Sequence, residues 1–219
     1  MVNNSNIDRV LELVRKTVKS YRAPVLERFN DEIKDPFWVL IPCILSLRSR
    51  DETTAVAARK LYQAAPTPEQ ILSIAPKKLE QLLFSTGFYR QKAKAVRRIS
   101  QLILEKYNGS VPDTIEELLT LPGVGRKTAN LTVTVAFNKP GICVDTHVHK
   151  ICNRWGFVKT KNADATEMQL RKILPKKYWI KLNYWLVLYG QNICLSVSPL
   201  CSKCPVSSYC PRLGVKKSR

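Results

Sequence analysis

Two residues of this chain have the chemistry of a bond-breaking pair. Lys127 stands in LPGVGRKTANL, residues Leu121 to Leu131, directly after a Pro-Gly-Val-Gly turn. Asp145 follows eighteen positions later, in GICVDTHVHKICNRWGF. A lysine in water has a pKa near 10.4 and keeps its proton. In the first turn of a helix the dipole opposes that charge, Arg126 opposes it further, and a partly buried wall would add desolvation. A neutral amine held beside bound nucleic acid is a nucleophile, able to attack a sugar C1′ and form a Schiff base. Asp145, between apolar Ile142 and Val144 and polar Thr146 and His147, can stabilise positive charge on a sugar as its base departs. It also suits the N-cap of the helix that follows, and one carboxylate can do both.

The turn before Lys127 has a chemistry of its own. Gly123 and Gly125 permit backbone angles and close approaches that a Cβ forbids. A tight turn ending at a helix start leaves N–H groups pointing outward together at the positive end of the dipole. Phosphate is the natural ligand of such a cradle, and its recognition carries no base sequence. A P-loop is excluded, because G-x-x-x-x-G-K-[ST] is absent.

Cys194, Cys201, Cys204 and Cys210 form a third group, spaced C-x6-C-x2-C-x5-C within the last 26 residues. Four thiolates suit zinc or an iron–sulfur cube. The spacing is not the doubled C-x2-C of a zinc ribbon, and the two longer loops fit a larger metal object better. Cys43, Cys143 and Cys152 lie in apolar surroundings and read as buried core thiols.

These groups must be positioned by helices. The chain has 219 residues, 45% of them apolar, enough for one large domain or two small ones. Lys and Arg number 36 against 17 Asp and Glu, a formal charge of +19 that calls for a polyanionic partner, nucleic acid before membrane. No stretch approaches the ~18 apolar residues of a spanning helix. MVNNSNIDRVLELVRKTV lacks a signal-peptide apolar core, so an intracellular protein with reduced cysteines is expected. Thr67-Pro68-Glu69-Gln70, Asp113-Thr114-Ile115-Glu116 and Asp164-Ala165-Thr166-Glu167 read as capping boxes. Trp179, Leu182, Trp185, Leu186 and Tyr189 share one face. TVTVAF continues the helix begun at Arg126 despite its β-branched residues, because burial overrides a few tenths of a kcal/mol of propensity. A faint repeat aligns LEQLLFSTGFYRQKA (79–93) with IEELLTLPGVGRKTA (115–129) at an offset of 36, matching Gly87 with Gly123 and Arg90 with Arg126. Both copies predict helix, short glycine hairpin, helix.

LPGVGRKTAN, then VDTHVHKICNR, then the four cysteines, in this order over roughly residues 8–212, resemble endonuclease III. That is the iron–sulfur branch of the helix-hairpin-helix, Gly/Pro-Asp DNA glycosylases. The resemblance implies an all-α fold of two helical domains with a DNA-binding cleft. Residues 1–28 and 140–219 would form the cluster-bearing domain, and residues 29–139 the helical barrel, with its helix-hairpin-helix at 113–136. It implies a [4Fe-4S] cluster on Cys194, Cys201, Cys204 and Cys210. It implies a prokaryotic, cytoplasmic, nucleoid-associated monomer acting on double-stranded DNA with damaged bases or abasic sites. Lys127 would attack C1′, Asp145 would assist, and β-elimination would cut the strand after an oxidised pyrimidine is flipped out. Leu121, Gly123, Val124, Gly125, Arg126 and His147 would meet DNA. Arg48, in LSLRSRD, matches the position that fills the hole left by the flipped base, often Gln in bacterial members. Phe88 matches the wedge where Leu is common. The loop LSVSPL between the first two cluster cysteines carries no charge where the family's is usually basic, which removes an expected phosphate contact. Rival readings are a mismatch or uracil glycosylase without lyase chemistry and a non-catalytic damage-binding module. Lys127 together with Asp145 favours catalysis, since a binder needs neither.

Overall fold

The computed structural model describes residues 1–24, 27, 29 and 32–219. All regular structure among them is helical. The chain forms two compact units, Met1–Arg22 with Pro140–Arg219, and Ala23–Lys139. The domain boundary expected at residue 28 lies outside the described residues.

Each unit has its own apolar core. In the first, helix α1 (Ile7–Val18) buries Ile7, Val10, Leu11, Val14 and Val18, a stripe at three- and four-residue steps. In the second, α2 (Pro36–Ser46) is buried from Phe37 to Leu45, so its apolar surface runs all the way round. Asp35 caps it, accepting from the Phe37 N–H at 2.7 Å, and Pro36 sits where a missing N–H costs nothing. Around α2 pack α3 (Asp51–Ala64), α6 (Tyr89–Tyr107) and α8 (Arg126–Phe137), while α4 (Pro68–Ser73) and α5 (Pro76–Leu83) pack on α6. A short α7 (Ile115–Leu118) leads into the glycine turn. TVTVAF is helical, with Thr132, Val133 and Thr134 buried and the Thr134 hydroxyl donating to Asn130 O at 2.9 Å.

The first unit continues with α9 (Thr146–Arg154), α10 (Ala163–Ile173) and α11 (Trp179–Asn192), which packs on α1 and α9. Trp179, Leu182, Leu186 and Tyr189 are buried and Trp185 is half-buried, as their shared face predicts.

Of the three capping boxes, Thr67 with Gln70 forms as expected, both reciprocal bonds present. The other two shift. Thr114, not Asp113, caps α7, accepting from Glu117 N, because Asp113 is drawn to Lys139 at 2.7 Å. Asn162, not Asp164, caps α10, accepting from Ala165 N at 2.8 Å, and Glu167 faces inward to pair with Arg171. The cap thus falls one residue later than the pattern predicts at α7 and two residues earlier at α10, in each case on the polar side chain that reaches the open amides.

Candidate functional site

The turn before α8 is closed by Val124 N–H donating to Leu121 O at 3.1 Å. Gly123 takes φ +77°, the left-handed region that a side chain resists. Leu121 and Val124 are buried, so what these two can offer a phosphate is main chain. Gly125 is the N-cap of α8 with extended backbone, has no side-chain cap, and a Cβ on it would meet nothing. The helix start therefore presents a glycine surface rather than a capping side chain, as an anion cradle requires.

Lys127 lies in the first turn of α8 and is exposed. The expectation of a partly buried wall is corrected. The residue as a whole is open to solvent, and its place in the first helical turn sets the dipole against its charge. Beneath it, burial pushes the Cys43 thiol up to about 11, and the Lys127 charge pulls the other way. Cys43, Cys143 and Cys152 are all buried, as read from their surroundings.

Asp145 lies in the first unit as the N-cap of α9. Its Oδ1 accepts from His147 N–H and Val148 N–H, each at 2.9 Å. Oδ2 is not part of the cap, so capping leaves a face of the carboxylate for other work. Its negative charge reaches Cys152, whose thiol is driven up to about 12 mainly by burial and secondly by Asp145. The neighbouring His147 imidazole rests on Gly190 of α11, where a Cβ would collide with the ring. Glycine there is a matter of space, not of backbone angle.

Arg48 and Phe88, forty residues apart, come together. The Arg48 guanidinium lies over the Phe88 ring, 5.2 Å from its centroid. Both are exposed, and both hold left-handed backbone, φ +54° and +58°. A Cβ on Gly87 would come 3.0 Å from Arg48 O, so glycine lets the two turns touch.

Cys194, Cys201, Cys204 and Cys210 line one cavity. Donors are aimed at three of the sulfurs. Arg154 Nη1 lies 3.4 Å from Cys194 Sγ, Tyr189 Oη 2.9 Å from Cys204 Sγ, and Arg212 N 3.4 Å from Cys210 Sγ. Burial raises the Cys194 and Cys210 thiols above their ordinary range, with Arg154 opposing at Cys194. Among the described residues no three metal-binding side chains converge as one ion demands. Four sulfurs lining one cavity, three of them with an N–H or O–H donor behind, suit a metal group bearing negative charge.

Comparison with known proteins decides the family. The model of the HhH-GPD superfamily base excision DNA repair proteins matches residues 41–176, more than half of the 219. The chain belongs to the HhH-GPD superfamily. Endonuclease III of Thermotoga maritima is 45% identical over 199 residues, covering 91% of both chains. A solved non-covalent endonuclease III–DNA complex superposes with a TM-score of 0.87 at 32% identity, and a trapped endonuclease III–DNA covalent intermediate with 0.85 at 32%. Each covers 97% of this chain and of its own.

Within this HhH-GPD chain, residues the sequence reading did not single out support the site. Arg154 is buried and donates to Leu195 O at 2.7 Å and Ser196 O at 2.8 Å as well as facing Cys194 Sγ, so one guanidinium holds the start of the cysteine loop. Tyr189 was legible only as a core aromatic of α11. Lys92, in α6, is buried with its amine hydrogen-bonded, and its neighbours Arg90 and Gln91 give a polar run that reads as a solvent face.

Proposed function

We propose that this chain is a DNA glycosylase of base-excision repair that also cuts the strand at the resulting abasic site, acting on oxidised pyrimidines in duplex DNA. The observation that carries the reading is a lysine in the first turn of a helix whose N-terminus is an open glycine turn. The turn binds backbone phosphate through main-chain N–H groups and fixes the register of the duplex. Arg48 and Phe88 enter the base stack where the damaged nucleotide leaves it.

Lys127 Nζ, once deprotonated, attacks C1′, and the glycosidic electron pair leaves with the base. Loss of a proton from nitrogen and opening of the sugar ring give the Schiff base. Removal of a C2′ proton then expels the 3′ phosphate by β-elimination. The Asp145 carboxylate, held by its cap, stabilises the positive charge that develops on the sugar. Cys194, Cys201, Cys204 and Cys210 would hold a [4Fe-4S] cluster, which when bound would cross-link four points of the chain, with Arg154 behind Cys194 and Tyr189 behind Cys204.

Borohydride trapping tests the reading. Wild-type protein incubated with a duplex bearing one abasic site should yield a covalent protein–DNA adduct. Release of a damaged base without an adduct would indicate a water-using glycosylase instead, and no release from any lesion would indicate a damage-binding module. Elemental analysis should find iron and not zinc.

A further inference from the structure

Lys92 is 4% exposed, and among the described residues no carboxylate forms an ion pair with it. A lysine is rarely buried without a reason, because its charge loses water. Its Nζ donates to Leu45 O at 2.7 Å, in the last turn of α2, and to Ser49 Oγ at 2.8 Å. Ser49 Oγ also accepts from Gly87 N–H at 3.0 Å. Three separate stretches of chain thus meet at one amine and one hydroxyl. The residues one step beyond the hydroxyl's contacts are Arg48, beside Ser49, and Phe88, beside Gly87.

Those two residues carry left-handed backbone without being glycine, and their side chains stack on one another. Such backbone persists only where the surroundings over-determine it, and it gathers at functional sites. The surroundings that fix it here are the hydrogen bonds of Lys92 and Ser49. Burial lowers Lys92 to about 8. The neutral amine still has two N–H groups for its two acceptors, so the arrangement holds in either protonation state.

We propose that Lys92, acting through Ser49, is a positioning residue that locks the Arg48 turn and the Phe88 hairpin into a single two-pronged wedge, and so governs how efficiently a base is extruded from duplex DNA. The proposal rests on the DNA glycosylase reading above. It separates extrusion from chemistry. Lys92 and Ser49 touch neither substrate nor Lys127, and their loss should matter only where a base must be driven out of a stack.

The test uses Lys92→Met, which keeps the stem and removes the donors, and Ser49→Ala, which keeps the buried amine and removes the shared acceptor. Single-turnover rates are measured on an oxidised pyrimidine in duplex and on an abasic site in single-stranded DNA, where nothing is stacked, and thermal unfolding is followed alongside. Excision from the duplex should fall about tenfold or more in both variants, a loss typical of a misplaced supporting group, while single-strand cleavage changes less than about twofold. Fluorescence of 2-aminopurine placed opposite a duplex abasic site should show the wedge entering less completely. Equal losses on both substrates would overturn the proposal in favour of a purely structural role, and unchanged duplex excision would overturn it outright. Should Lys92→Met fail to fold, Ser49→Ala decides the matter alone. Wild-type protein inert on both substrates would remove the glycosylase reading, and the wedge with it.

Discussion

The second unit contains two helix–turn–helix hairpins built on the same sequence frame and turned out differently. One joins α5 to α6 through Gly87, and the other joins α7 to α8 through Gly123. In the second, the left-handed residue is Gly123 itself, the following Val124 is buried, and the turn shows backbone to solvent. In the first, Gly87 serves as a point of close approach, and the left-handed angle falls one residue later, on Phe88. That shift turns a large ring outward, where it is 53% exposed. Moving one positive φ by one residue converts a hairpin that shows main chain to solvent into a hairpin that shows an aromatic ring. The helices after the turns diverge in the same way. Gln91 of α6 stands where α8 has Lys127, and buried Lys92 stands where α8 has buried Thr128.

The sharpest way to break the contrast is to give the second hairpin the residue of the first. Lys127→Gln should abolish the borohydride adduct and slow strand cleavage by on the order of 10³ or more, because the nucleophile is gone. Binding to lesion duplexes should survive, since the turn amides remain. Gln91→Lys should create no second trap. An adduct that persists in Lys127→Gln would move the nucleophile elsewhere.

Phe88→Gly should have the next largest effect. Losing a ring that stacks in the duplex costs about 1–3 kcal/mol, roughly 5- to 150-fold in affinity for lesion duplexes. Glycine accepts φ +58° freely, so unfolding temperature should hold steady or rise. A drop in melting temperature with unchanged lesion affinity would return Phe88 to the fold. Gly123→Ala inverts the logic. A Cβ at φ +77° costs about 1–2 kcal/mol, a fall of about 2–8 °C, with weaker binding to damaged and undamaged duplexes alike. Selective loss on damaged DNA alone would contradict a backbone-reading role.

The smallest effect is a pH dependence confined to the first hairpin. Lys92 has a folded pKa of about 8 against 10.5 unfolded. Between those values the unfolded chain binds more protons, so stability gained from this group rises with pH and is lost as pH falls through 8. The stability difference between wild type and Lys92→Met should therefore shift toward wild type from pH 8 to 10.5, and stay flat from pH 6 to 7. Thr128→Val, at the matching place in α8, should show no such slope.

Much of this was legible in the chain itself. The glycine turn, the helical reading of TVTVAF and the shared face of α11 follow from local patterns, and so did the pairing of Thr67 with Gln70. What the sequence hides is reach across distance. Asp113 and Asp164 lost their caps to tertiary ion pairing and to an earlier asparagine. The stacking of Arg48 on Phe88 joins segments forty residues apart, which no periodicity reports. Lys92 follows Arg90 and Gln91, and only the packing of α6 on α2 turns one of those three inward. The exposure of Lys127 is hidden for the converse reason, since an apolar run after a turn says little about the first helical turn itself.

The division of the chain carries a consequence for its biosynthesis. Ala23–Lys139 is one unbroken stretch, whereas the other unit needs Met1–Arg22 together with Pro140–Arg219. On a ribosome the hairpin unit is complete while α1, with Ile7, Val10, Leu11, Val14 and Val18 along one side, still has no core to join. That stripe must wait for α11, and the cysteine tail emerges later still. Nascent chains therefore pass through a period in which a finished hairpin unit follows an unsatisfied amphipathic helix, a natural substrate for chaperones.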